Sequence, residues 1–181
     1  MKPDAGSVKG PAANRLPRSA ARLAAVQALY QMELTGVGAE AVIRQFRDHR
    51  FGVEDEDGRA MEADEAFFAD VVRGVVASQK EIDRRITEHL AANWKLTRID
   101  SILRASLRAG GFELIARADV SAKTILNEYV DVAHAFFDGD EPAFMNAALD
   151  AIAKDVRGAE LALASDEGGA ALSPESGETA A

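Results

Sequence analysis

Apolar residues return along this chain at intervals of three and four. Leu23, Val26, Ala28, Leu29, Tyr30, Met32 and Leu34 follow Ser19 at the spacing of one helix face, and Gly36 and Gly38 stop the run. Val42, Ile43 and Phe46 predict a second helix over 39–48. Between 63 and 90 the set Phe67, Phe68, Val71, Val72, Val75, Val76, Ile82, Ile86 and Leu90 keeps the same period, with a break expected near Ser78. The segment "NWKLTRID" separates it from a helix carrying Ile99, Ile102, Leu103, Leu107, Phe112, Leu114 and Ile115 to about residue 117. Ser121 is placed to cap a helix through "AKTILNEYVDVAHAFF", and a last helix is predicted over 141–157. No segment alternates with period two, so the expected fold is an all-α helical bundle.

The punctuation between these elements carries its own information. Asp138, Gly139, Asp140, Glu141 and Pro142 end one helix and start the next, because glycine stops a helix and an acidic residue before proline begins one. Gly110 and Gly111 lie inside a predicted helix, where each costs on the order of 1 kcal/mol against alanine. A close approach is expected there, most simply of a neighbouring helix backbone. Residues 1–17 mix glycine, proline and isolated basic residues without a period and read as a flexible basic arm. Residues 18–157 form the domain. Beyond Gly158 alanine, glycine, serine and acid dominate, and 158–181 is expected to be a disordered acidic tail.

The formal net charge of -9 argues at first against a nucleic-acid partner. Its distribution removes that objection. The tail holds five acidic and no basic residues, and residues 53–65 hold seven acidic residues against Arg59. These segments carry the acid, while Lys2, Lys9, Arg15, Arg18 and Arg22 face only Asp4 at the amino-terminal end. With no cysteine, disulfides, thiolate nucleophiles and cysteine-ligated metals are excluded. No uninterrupted apolar segment approaches the roughly 20 residues of a membrane span, so a soluble, cytoplasmic protein is expected.

Catalytic constellations are absent from the sequence pattern. His49, His89 and His134 stand far apart, with no ligand spacing, phosphate loop or serine elbow, so no enzyme, metal or cofactor is expected. His134 reads as a partly buried helix residue, and Glu128 with Asp131 as solvated or capping carboxylates. Asn127 and Asn146, each among apolar neighbours, are expected to reach between helices and satisfy backbone groups. Arg18 and Arg22 differ: cations near a helix amino terminus oppose its dipole by about 0.3–1 kcal/mol. They suggest a phosphate partner, Arg15 extends the pair, and Arg104 with Arg108 forms a second pair four residues apart.

Three stretches, "ARLAAVQALYQMELTG", "ILRASLRAGGFELIARADVSAKTILNEYVDVAHAFF" and "FMNAALDAIAKDVR", together resemble the NusB family of bacterial transcription antitermination factors. The resemblance covers about 18–157. It implies about seven helices in two perpendicular three-helix sub-bundles and no catalysis. The implied partners are single-stranded boxA-like RNA of ribosomal RNA leaders, the small-subunit ribosomal protein NusE, and the RNA polymerase antitermination complex. Some members of the family also pair with themselves as homodimers. By motif position, Tyr30 would lie at the RNA and NusE surface, although its stripe alone reads as core, and Gln27 would share its side of the helix. Asp140 and Phe144 fall where the family places an acidic residue and an aromatic against RNA. An aromatic can stack an unpaired base, and a carboxylate can accept from a base amino group. The family's basic run is thinner here, with Ser19, Ala20 and Ala21 between Arg18 and Arg22. Two other readings are the RNA-binding partner of a ribosomal RNA methyltransferase and a helical scaffold dimer.

Overall fold

Three side-chain oxygens meet the free amides at the starts of helices. Asp64 accepts from the amide of Phe67 at 2.9 Å, Asp100 from that of Ile102 at 2.8 Å and Ser121 from that of Thr124 at 3.2 Å. Each satisfies a donor that has no partner inside its helix. The structure is a computed structural model and describes residues 15–54, 60–92 and 94–169. Its elements are α1 (Arg15–Thr35), α2 (Ala39–His49), α3 (Glu65–His89), a 3-10 turn (Leu96–Arg98), α4 (Ser101–Ala116), α5 (Ala122–Phe136) and α6 (Glu141–Gly169). Among the described residues, β-structure is confined to isolated bridges in the loop, such as Phe51 with Met61.

Helices α1, α2 and α3 pack on one another, as do α4, α5 and α6. The two groups of three meet where α1 and α3 lie against α4. That central position explains the composition of α4, which buries Leu103, Ala105, Ser106, Leu107, Ala109, Phe112 and Leu114 around most of its circumference. The expected break near Ser78 does not occur, and α3 runs unbroken for 25 residues.

The glycines of α4 admit side chains rather than a neighbouring backbone. A Cβ on Gly110 would stand 2.9 Å from a methyl of Leu149 and 3.2 Å from the Tyr129 ring, and one on Gly111 3.2 Å from Ile82. Gly74 of α3 is tighter still, with the Phe112 ring 2.1 Å from the position of a Cβ. These sites lock α3, α5 and α6 onto α4 at close range.

The predicted end of the last helix is also corrected. At Arg157 the backbone leaves helical geometry (φ -136°, ψ 29°), yet helix resumes to Gly169. The Arg157 guanidinium donates to the carbonyls of Glu113 (2.9 Å), Leu114 (2.7 Å), Arg117 (2.7 Å) and Val120 (2.6 Å). Glu160 accepts from the amide of Ala122 at 2.8 Å. One side chain therefore bonds four carbonyls across the end of α4 and the turn after it, and the next turn of α6 covers an open amide at the start of α5. Glu160, expected to lie in a disordered tail, thus joins Arg157, the expected last residue of the helix, in clasping the α4–α5 turn. The rest of that tail, 170–181, and residues 1–14 of the arm lie outside the described residues.

Candidate nucleic-acid interface

The arginine expected to meet phosphate is inside the protein. Arg22 is 2% exposed, and it forms a two-point contact with Glu113, Nε to Oε1 at 2.9 Å and Nη2 to Oε2 at 2.8 Å. Its Nη1 lies 3.4 Å from Glu128 Oε2, which also accepts from Ser19 Oγ at 2.6 Å. The Tyr129 hydroxyl, itself fully buried, donates to Glu113 at 2.7 Å. Burial opposes the charge on Arg22, but hydrogen bonding and attraction from Glu113 outweigh it and hold the guanidinium above its ordinary pKa. Burial, then the charge of Glu113, pushes the Tyr129 hydroxyl well above the usual tyrosine range. The expected phosphate role of Arg22 is thus corrected: its donors are committed to the buried carboxylates of Glu113 and Glu128.

Arg104 is corrected for the same reason. It contacts Glu33 through Nε and Nη2, and its Nη1 donates to the carbonyls of Leu96 at 3.0 Å and Ile99 at 2.7 Å. Its hydrogen bond lowers the pKa of Glu33 by more than burial raises it. Arg108 is held by Asp83 at 2.7 and 2.9 Å. The pair Arg104 and Arg108 joins α4 to α1 and α3 rather than forming a basic face.

Arg18 remains partly accessible. Its side chain is 30% exposed, 3.5 Å from Asp64 and 3.7 Å from Asp119, with the guanidinium carbon 5.0 Å from the Phe67 ring centre. Arg22 and Arg117 lie over the same ring, each at 4.9 Å. Arg15 opens α1, and its side chain lies outside the described residues. Gln27 and Tyr30 are half-buried on α1, where Gln27 accepts from Arg50 at 3.2 Å and Tyr30 packs against the core edge.

At the other three-helix group, Asp140 and Phe144 stand together at the start of α6. Asp140 is exposed, and its carbonyl accepts the first helical bond from the Phe144 amide at 3.0 Å, which places it at the N-cap. Phe144 is half-buried and stacks on Trp94, with ring centres 5.1 Å apart and planes 23° from parallel. Trp94 is 48% exposed. Among the described residues no hydrogen bond or ring contact links this pair to Gln27 or Tyr30.

Several polar expectations are reversed. His134, Asn127 and Asn146 are exposed, so none works between helices, whereas Glu128 is 4% exposed and neither solvated nor a cap. Asn127 and Asn146 lie on the outer faces of α5 and α6, where apolar neighbours in sequence point the other way. Sequence reasoning passed over Trp94, Glu113 and Arg157. A large aromatic between the polar Asn93 and Lys95 was the available signal for Trp94. Glu113 in "GGFELI" was the signal for a buried partner.

The chain is similar to known proteins over most of its length. The sequence profile of the NusB family matches residues 19–154. The transcription antitermination protein NusB of Caulobacter vibrioides is 55% identical over 145 residues, 80% of this chain and 97% of that protein. The protein of the same name from Maricaulis maris is 53% identical over 152 residues, 83% of this chain and 95% of its own. A solved structure of antitermination factors NusB and NusE in complex with dsRNA shares the fold, with TM-score 0.64 at 24% identity over 76% of this chain and 96% of the matched one. This chain belongs to the NusB family.

Proposed function

We propose that the protein is a non-catalytic transcription antitermination factor that binds single-stranded boxA-like RNA of ribosomal RNA leader transcripts together with NusE. The single observation that carries the reading is the 55% identity to an antitermination protein over 97% of that protein's length. A protein of the same fold has been solved with NusE and double-stranded RNA, a precedent for a NusE partner and for contact with RNA. Phe144 and Asp140 supply the base contacts: the ring stacks an unpaired base, and the exposed carboxylate accepts from a base amino group. A carboxylate repels phosphate, so its contribution is sequence discrimination rather than affinity. Arg15 and Arg18 supply phosphate attraction at the start of α1, the half-buried Gln27 and Tyr30 lie on the RNA side of that helix, and Tyr30 also meets NusE. No helix among the described residues is long and apolar enough to cross a membrane, in keeping with action on nascent RNA in the cytoplasm.

A pull-down with tagged NusE, with and without boxA RNA, tests the reading. The chain is expected to co-purify with NusE and to be retained more strongly when the RNA is present. Absence of the chain from both eluates would refute the partnership.

A further inference from the structure

A half-exposed indole stacked on a second ring is an unusual use of the largest side chain. Trp94 lies in the linker between α3 and α4, where Leu96 and Ile99 already anchor the segment in the core. Trp94 does not enter the core, and it shields Phe144 on one face while leaving 48% of itself in solvent. A tryptophan that only pinned the linker would be better stabilised by burying more of its surface. Its plane is fixed by the stack on Phe144, which removes most of the entropic cost of presenting a flat surface. The two rings border a cleft of about 240 Å³ that is also lined by His89, Ala91 and Ala147. Lys95 and Arg98 follow on the same segment; both are exposed and make no side-chain hydrogen bond or ion pair among the described residues.

We propose that Trp94 is a base-stacking residue of the RNA site: it takes an unpaired nucleobase of single-stranded RNA on its exposed face and extends the stack begun by Phe144, while Lys95 and Arg98 face the adjoining phosphates. This rests on the RNA-binding reading above. Stacking tolerates every base because each has a π-face. Trp94 therefore contributes affinity, whereas Asp140 contributes discrimination. The combination of aromatic and unpaired cation on one short linker favours a single-stranded polyanion over a protein partner.

Trp94 is the one tryptophan in the 181 residues, so its emission reports this position alone. The test uses the full chain with a NusE lacking tryptophan. Labelled boxA RNA is followed by anisotropy and unlabelled RNA by tryptophan emission. RNA is expected to quench Trp94 over the same concentration range in which anisotropy rises. Trp94→Ala should weaken binding by about 5- to 100-fold, and Trp94→Phe should recover most of it. RNA bound with unchanged emission, or Trp94→Ala binding at wild-type affinity, overturns the proposal while leaving the RNA-binding reading intact. Quenching by NusE alone, without RNA, would make the site a protein contact and likewise overturn it. No anisotropy change with any RNA would remove the RNA-binding reading itself. The emission measurement on the unaltered protein needs no variant to fold.

Discussion

The Arg22 cluster and the Trp94–Phe144 edge put opposite kinds of side chain in opposite places. At the first, a charged residue suggestive of nucleic acid is 2% exposed and holds α1 to α4 and α5 through Glu113 and Glu128. At the second, an aromatic residue suggestive of a core is 48% exposed. A side chain's type therefore says less about its role than whether its bonding capacity is already committed. Arg22 and Arg104 have their donors filled by carboxylates and carbonyls, while Trp94 has an open face.

The comparison breaks most readily at Arg22. Arg22→Ala removes the guanidinium that makes a two-point contact with the buried Glu113, and a loss of about 3–5 kcal/mol is expected in denaturant unfolding. A loss below about 1 kcal/mol would show that the cluster is not structural. Arg157→Ala removes the donors to four carbonyls at the α4–α5 turn and is expected to cost about 3 kcal/mol, with hydrogen exchange rising first in residues 113–122.

Tyr129→Phe sharpens the same contrast through pH. Burial holds the Tyr129 hydroxyl above its ordinary range, so the folded chain keeps this proton where the unfolded chain releases it. The resulting stability is complete below about pH 10 and declines as pH rises above it. The variant should lose roughly 1.5–3 kcal/mol at neutral pH and show a shallower alkaline decline, read from melting curves across pH 8–11. An unaltered alkaline slope would rule Tyr129 out as its source. The smallest stability effect is expected at Asp140→Asn, within about 0.5 kcal/mol, because asparagine also caps helices. Its effect should fall on RNA choice, measured as a narrowed ratio of boxA to scrambled RNA binding.

The helical architecture was legible in the sequence because its signal is local: apolar spacing, the cap at Ser121 and the glycine stops all act within a few residues. The site was only partly legible. Asp140 and Phe144 were reached through family motifs, and both lie at an accessible helix start. Arg22 and Arg104 misled because their partners, Glu113 and Glu33, are 91 and 71 residues away in sequence. No local pattern shows that a guanidinium is already bonded. Arg157 and Glu160 were missed for the same reason, since the carbonyls and amide they cover lie 37 to 44 residues away in sequence. Gly74 makes room for a ring of α4 rather than for a turn, which its own neighbours in sequence cannot reveal.

The most direct measurement is the affinity of the protein–NusE complex for boxA RNA against a scrambled RNA of equal length and composition at matched salt. Tighter binding of boxA, with the preference retained as salt is raised, is predicted from base contacts at Asp140 and Phe144, because base readout survives screening better than phosphate attraction. Equal affinity for the two RNAs at every salt concentration would contradict sequence recognition by this protein.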